Sequence, residues 1–419
     1  MIRKIFGTAG TRLLAALASF AILSINARHL GPEGLGQISL LIVALAILGN
    51  VSSLIGGSAL VYLVPRYNVF QLVSLSSIWA AITALGGGYV LLGLKLIPKG
   101  YIIDVMVLSF LLALININLM VLLGKESVKA YNLITLFQNI TTVTFLFIWF
   151  EALNRGTVLT FVFILYLSYA TTLLVSLVPV LPFLSIRQSN GFGLLIPRFL
   201  KFGGSIQVAG LFQTLNYRFS YFLLNKFFGG AMLGRFDAGV KLSEGLWMIG
   251  KSMALVQYSR ISNEGEEEVS RMLTIAFFKI SAVITMFAIG ALLLIPTSFF
   301  TFFLGKGFEE IKFTIGCLSP GILAIASGMI FSHFFSGIGK PHFNTMGSAI
   351  GLALISALGY ILIPKYGLAG AGLATSISYM GSLVYQIFAF CSLTKTPLAA
   401  FAINTSDLLA AKQLFHKKG

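Results

Sequence analysis

The sequence predicts an all-α integral membrane protein of about twelve transmembrane helices, in two six-helix lobes related by a pseudo-twofold axis along the membrane normal. Three observations predict it: the composition, the spacing of the apolar runs, and a junction that occurs twice. The chain has 419 residues, is 57% hydrophobic and only 10% charged, and has a mean hydropathy of +0.93. So few polar residues cannot cover the surface of a soluble protein of this size. The apolar character extends along the whole chain, which leaves no sizeable domain outside the bilayer.

A hydrocarbon core about 30 Å thick needs about 20 apolar residues per helix. Runs of that length, separated by charge, proline or glycine, fall at 9–28, 37–64, 70–94, 102–123, 131–151 and 158–184. After a break they resume at 200–225, 235–258, 272–296, 311–336, 343–363 and 369–392. The basic segment before the first run resembles a signal peptide. It lacks a small-residue cleavage site and the next run follows at once, so it is expected to be a retained first helix. The connections are short, and sequential helices therefore run antiparallel. Lysine and arginine in these loops concentrate on the side that holds the N-terminus, which puts both termini in the cytoplasm and the chain in the cytoplasmic membrane.

The doubled junction lies between spans 1 and 2 and again between spans 7 and 8. The first reads Leu30-Gly31-Pro32-Glu33-Gly34-Leu35-Gly36, the second Phe228-Gly229-Gly230-Ala231-Met232-Leu233-Gly234. Gly31 matches Gly229, Leu35 matches Leu233 and Gly36 matches Gly234, all at one offset. A weaker correspondence sets Gly124-Lys125 before span 5 against Gly339-Lys340 before span 11. The chain is thus expected to be duplicated, with lobes at 1–190 and 191–419. Because six is an even number, both halves start on the same side, a repeat plan used for alternating access.

A net charge of +16 would suggest nucleic acid in a soluble domain. Here the basic residues are scattered between apolar segments without aromatic interleaving, so no nucleic acid is expected; membrane lipids or an anionic membrane-embedded ligand fit better. Cys317 and Cys391 sit in apolar runs, and His29, His333, His342 and His416 lack metal-site spacing. The glycine runs Gly86 to Gly88 and Gly367 to Gly372 precede no Gly-Lys-Ser/Thr, so no ATP loop is present. No metal and no cofactor are expected.

A charge at mid-bilayer costs about 2.5 to 3.5 kcal/mol, so charges inside spans need a wet cavity or a partner. Span 7 carries Asn216 and Arg218; span 8 carries Asp237, Lys241, Glu244 and Lys251 at spacings that share one helical face; span 9 adds Lys279. Counted back from the turn, Arg218 reaches the depth of the span 8 acids, where Asp237 or Glu244 could meet it. Bases outnumber acids here, and a cationic remainder suits a phosphate or pyrophosphate. Ion pairs that only fix packing are the plainer alternative. Span 1 carries Arg12 and Asn26, with Arg28 at its outer end, where arginines also snorkel to headgroups. Asn50, Asn116, Asn118, Gln138 and Asn139 add neutral hydrogen-bonding groups that sugars or neighbouring helices would use equally well. His333 reads as a packing residue.

The segment Arg28 to Gly36, following a span with Arg12, resembles the N-terminal signature of the Wzx-type polysaccharide flippases of the multidrug/oligosaccharidyl-lipid/polysaccharide exporter (MOP) superfamily. Asn216-Tyr217-Arg218, Phe236 through Glu244, and Ile363 to Tyr379 resemble parts of that family's second half. The resemblance implies a MATE-like fold and a flippase that moves a polyprenyl-diphosphate-linked oligosaccharide, a repeat unit of O-antigen, capsule or exopolysaccharide, between leaflets without covalent chemistry. It implies diphosphate contacts for Arg218, Lys241, Lys251, Lys279 and Arg12, pairing or proton exchange for Asp237 and Glu244, and a polar lining from Asn26 and Asn216. Some family members couple transport to H+ or Na+, and polysaccharide polymerase machinery would be a partner. Phe219-Ser220 stand where the family pattern would carry an acid after the span 7 arginine, a departure that bears on ion coupling. The competing readings are a multidrug antiporter of the same superfamily, which would prefer an acidic or aromatic pocket, and a membrane polysaccharide polymerase or ligase, which would need a large outer loop.

Overall fold

The computed structural model describes residues 2–98, 100–185, 195–264 and 267–402, with side chains from Leu14 onward other than at 202, 205, 249, 259 and 262–264. Among the described residues there is no strand. The helices are α1 (Ile2–Ser52), α2 (Ser58–Leu63), α3 (Val69–Gly93), α4 (Ile102–Gly124), α5 (Val128–Leu146), α6 (Val158–Leu177), α7 (Ile196–Phe228), α8 (Gly230–Glu264), α9 (Glu267–Leu294), α10 (Thr297–Leu304), α11 (Ile311–Gly337) and α12 (His342–Thr394). Eight of the described segments are long and apolar enough to cross a bilayer, and the protein is a multi-pass membrane protein. The 33-residue α7 and 35-residue α8 are long enough as well, but carry the polar residues expected in spans 7 and 8.

Two of the long helices are broken where the sequence separates two spans. In α1 the break is Gly31, at φ 64° and ψ −173°, followed by Pro32. In α12 it is Gly367, at φ 53° and ψ −122°. Positive φ is open to glycine at little cost, and each break divides its helix into two limbs. The second limb of α12 runs back along the first. Ser378 Oγ donates to the Gly351 carbonyl at 2.8 Å and Ser382 Oγ to the Gly347 carbonyl at 2.9 Å, so the pairing steps forward on one limb as it steps back on the other. With these limbs counted, the helices match the twelve expected spans.

The chain forms two compact units, Met1–Ala238 with Phe300–Glu309, and Gly239–Phe299 with Glu310–Gly419. In the first, Asn68 caps α3 through the Gln71 amide at 3.3 Å and Thr157 caps α6 through the Thr160 amide at 3.1 Å. Polar side chains join its helices: Asn118 on α4 donates to Ser176 on α6 at 2.8 Å, and Thr142 on α5 meets Ser168 on α6 at 2.7 Å. A buried hydroxyl or amide in an apolar span requires such a partner. Helix α7 runs antiparallel to the second limb of α1 and to α2. Gly36 abuts Gly230, Asn50 bonds Thr214 at 2.9 Å, Gly57 faces Gln207 and Ala59 faces Gly203.

In the second unit, α11 contains Pro320, whose missing amide and ring disrupt the local ladder. Ser376 of α12 repairs it. Its Oγ donates to the Cys317 carbonyl at 2.8 Å and accepts from the Gly321 amide at 3.2 Å, so one hydroxyl bridges the two groups that would otherwise close a helical turn. Gly372 faces Cys317 closely enough that an added Cβ would lie 2.5 Å from the cysteine Cβ.

Candidate functional site

The cluster in the first unit is built on the hairpin of α7 and the start of α8. The turn is Gly229, at φ 81°, and the register it sets brings Tyr221 of α7 level with Asp237 of α8. Arg218 Nη1 donates to Tyr221 Oη at 2.7 Å, and Tyr221 Oη donates to Asp237 Oδ1 at 2.9 Å. The guanidinium also lies 5.1 Å from the centroid of the Tyr221 ring, a cation–π contact. Tyr221 and Asp237 are each 1% exposed, whereas Arg218 is half-buried. Inside a low-dielectric span the carboxylate is thus linked to the guanidinium through a phenol, and the arginine head stands nearer the surface of the unit.

The sequence set Arg218 at the depth of Lys241 to Glu244 and left Glu244 or Asp237 as its partner; in the structure Asp237, nearer the turn, is the acid linked to it. What sequence reasoning missed is Tyr221. Its signal was its spacing of three from Arg218, which puts both on one face of α7. Asn216 is buried on the same helix and Asn26 is buried in the first limb of α1, where its Oδ1 has no hydrogen-bond partner among the described residues. The Arg12 side chain lies outside the described residues. Arg28 is exposed beside the turn at Gly31.

In the second unit, Lys241 and Glu244 are half-buried on α8, Lys251 is exposed on the same helical face, and Lys279 of α9 is 7% exposed. Gln257 of α8 is fully buried and donates to Thr274 of α9 at 2.8 Å. His333 donates from Nδ1 to the Met329 carbonyl at 2.9 Å and sets its ring edge-on to Tyr258, the arrangement of a packing residue. Among the described residues, no group of three His, Cys, Asp or Glu side chains could hold a metal ion. Asn50, Asn118, Asn139 and Gln138 resolve differently from one another. Asn118 holds α4 to α6, Asn139 bonds its own helix at the Thr135 carbonyl and Asn50 bonds Thr214 of α7, while the main-chain carbonyl of Gln138, not its side chain, accepts from Ser168.

No family model matches the chain. Among solved structures, the lipid II flippase MurJ in its inward closed conformation is similar over 99% of this chain and 93% of its own, at 14% identity and a TM-score of 0.72. An inward-facing multidrug-resistance MATE transporter of the MOP superfamily is similar over 91% of this chain and 95% of its own, at 18% identity and a TM-score of 0.69. The chain has the MOP transporter fold. That fold is the one the sequence resemblance implied. A MOP superfamily transporter from Pyrococcus furiosus, described by the reversed polarity of its binding pocket, shares the fold at 17% identity, a TM-score of 0.62 and 94% coverage of each chain. By sequence, the chain is similar to the capsular polysaccharide biosynthesis protein CapF of Staphylococcus aureus, 29% identical over 174 residues. That match spans 41% of this chain and 44% of the relative, less than half the length of either.

Proposed function

We propose that this MOP-fold protein is a flippase for polyprenyl-diphosphate-linked oligosaccharide, working by alternating access of two lobes, 1–190 and 191–419, in the cytoplasmic membrane with both termini inside. The observation that carries this reading is the Arg218–Tyr221–Asp237 chain, a guanidinium held in a membrane-spanning helix by a phenol and a buried carboxylate. A diphosphate offers the guanidinium a denser negative charge with bidentate geometry, and so competes with the phenol for it. Lys241, Lys251, Lys279 and Arg12 would add diphosphate contacts as the lobes rearrange. Asp237 and Glu244 would take up the released cations or exchange a proton, with Asn26 and Asn216 as polar lining. Translocation makes and breaks no bond in the lipid-linked sugar, and polymerase machinery would be the downstream partner. Support comes from the sequence match to a capsular polysaccharide biosynthesis protein and from a fold shared with a lipid II flippase.

The test is leaflet translocation of a fluorescent polyprenyl-diphosphate oligosaccharide in proteoliposomes, with native protein and with Arg218→Gln and Lys241→Gln at equal reconstitution. Protein-dependent flipping that both substitutions abolish is expected. Flipping that neither substitution alters would remove the diphosphate from α7 and α8. The similarity to MATE transporters favours a second reading, export of a small molecule. A tetraphenylphosphonium efflux signal in the same vesicles, without lipid flipping, would select it.

A further inference from the structure

The middle of α7 carries an uncharged polar strip that reaches the arginine's face at Thr214, one helical turn before it. Gln213 lies at the centre of this 33-residue helix, is exposed, and donates from Nε2 to Tyr217 Oη at 2.6 Å. Beside them, Asn50 of α1 donates from Nδ2 to the Ala46 carbonyl and to Thr214 Oγ1, both at 2.9 Å, and turns its Oδ1 toward Gly210. The glycine leaves this oxygen its room, since an added Cβ there would lie 3.0 Å from it. An exposed glutamine at the depth of the bilayer centre faces either hydrocarbon or water. The Nε2 bond to Tyr217 satisfies one donor, but hydrocarbon would leave the side-chain carbonyl without a donor, so this side of α7 is expected to open to a wet space during the protein's cycle.

We infer that the strip of Asn50, Gln213, Thr214 and Tyr217 is a recognition surface for sugar hydroxyls, the glycan subsite of the flippase reading above, on which it rests. Amide groups both donate and accept, as sugar hydroxyls do, and a phenol ring offers a flat apolar face to the C–H side of a pyranose. Spacing agrees with the chemistry. Thr214 precedes Arg218 by four residues, about 6 Å along the axis and on the same helical face, and Tyr217 and Gln213 continue the strip around the helix from there. In a polyprenyl-diphosphate glycan the first sugar is bonded directly to the phosphate, so a diphosphate at Arg218 sets the first ring against Thr214 and Tyr217 and the next toward Gln213. The buried polar side chains of the same unit contrast with this strip. Asn118 and Ser176, both nearly inaccessible, are used between α4 and α6.

The experiment is equilibrium binding to native protein in nanodiscs of bare undecaprenyl diphosphate and of undecaprenyl-diphosphate-linked mono- and disaccharides of common hexoses and N-acetylhexosamines. The quantity read is the affinity gained from the sugar. At least one sugar should raise affinity about tenfold, the effect of one or two well-made hydrogen bonds. Gln213→Ala and Tyr217→Phe should each return that gain toward unity and leave the affinity for the bare lipid unchanged, while Arg218→Gln should weaken both lipids alike. A sugar gain that survives both strip substitutions, or no gain from any sugar, overturns the subsite and leaves the diphosphate reading standing. Binding of neither lipid by native protein overturns the flippase reading and the subsite with it.

Discussion

Gly36 and Gly234 each pack against the other's turn. A Cβ on Gly36 would fall on the Gly230 carbonyl, and one on Gly234 would fall on the Pro32 carbonyl and within 2.9 Å of the Gly36 nitrogen. The offset that relates the two halves in sequence exchanges these contacts, turning 36 into 234 and 32 into 230. Leu35 and Leu233, one position earlier, are likewise both buried, at 1% and 0% exposure. Gly31 and Gly229 reverse the chain with nearly the same dihedrals, φ 64° and ψ −173° against φ 81° and ψ −177°. The duplicated junction is therefore a self-complementary contact that neither half could form alone.

Gly36→Ala and Gly234→Ala should be matched in effect. The obstructing atoms are backbone carbonyls, which cannot rotate away as a side chain would, so each substitution should cost about 1 to 3 kcal/mol by overpacking. Thermal unfolding of the purified protein in nanodiscs should show similar falls in Tm for the two variants. A variant with native Tm would mean that its contact yields, and the exchange symmetry would be lost.

Tyr221→Phe should remove the hydroxyl that Arg218 and Asp237 share while keeping the ring packed on Phe236, whose centroid lies 5.9 Å away. Removing the phenol takes a donor from Asp237 Oδ1 in a buried site, at a cost of about 1 to 3 kcal/mol. Asp237→Asn keeps an acceptor oxygen for the phenol and should unfold closer to native protein. Transport should fall in both. Native transport by Tyr221→Phe at native abundance would show that the link through the phenol has no part in the cycle.

The relation of these residues to the sequence differs case by case. The span boundaries were legible because apolar runs of bilayer length are interrupted by charge, proline or glycine, and at three of the reversals Gly31, Gly229 and Gly367 supply the positive φ. Arg218 and Asp237 were legible because charge inside a span is costly and stands out. Tyr221 was not, because a tyrosine among phenylalanines and leucines has the pattern of a packing residue, and only the hairpin register reveals where its hydroxyl goes. The asparagines were undecidable in advance for a similar reason. Whether an amide serves a neighbouring helix depends on which helix stands opposite, and the structure sets Ser176 of α6 opposite Asn118 and Thr214 of α7 opposite Asn50.

Ser376→Ala should loosen the α11 kink. Without the hydroxyl, the Cys317 carbonyl and Gly321 amide lose the group that joins them beside Pro320, and no water reaches a serine that is 2% exposed. A loss of about 1 to 3 kcal/mol is expected for such unsatisfied groups. Backbone hydrogen exchange should quicken at residues 317–321 in the variant, and unchanged exchange there would mean that the ladder closes without serine.

Glu309 should make the loop before α11 sensitive to acid. Its carboxylate accepts from the Gly307 amide at 2.9 Å, which with its own backbone amide and the nearby Arg235 charge holds the carboxyl below its ordinary value of 4.5. A lowered value means that the contribution is complete above pH 4.5 and is lost as pH falls through the lower, folded-state value. Glu309→Gln should therefore speed hydrogen exchange at residues 305–309 relative to native protein at pH 7, with the difference shrinking below pH 4.5. A difference that stays constant across that range would assign the loop's order to groups other than this carboxylate.

The face of α8 that carries Lys241, Glu244 and Lys251 should be wet. Three charges on one face of a membrane-spanning helix are sustained by water or by partners, since hydrocarbon would charge each of them about 2.5 to 3.5 kcal/mol on the insertion scale. Cysteines placed singly at 241, 244 and 251, in a protein whose native Cys317 and Cys391 are replaced by alanine, should react with a membrane-impermeant maleimide. Cysteine at 254, where the native alanine is fully buried, should not. Adding polyprenyl-diphosphate glycan should slow labelling at 241 and 244 if the diphosphate seats there. Protection at all of 241, 244 and 251 before any lipid is added would instead make these charges internal ion pairs, and the anion site would then reduce to Arg218 on α7.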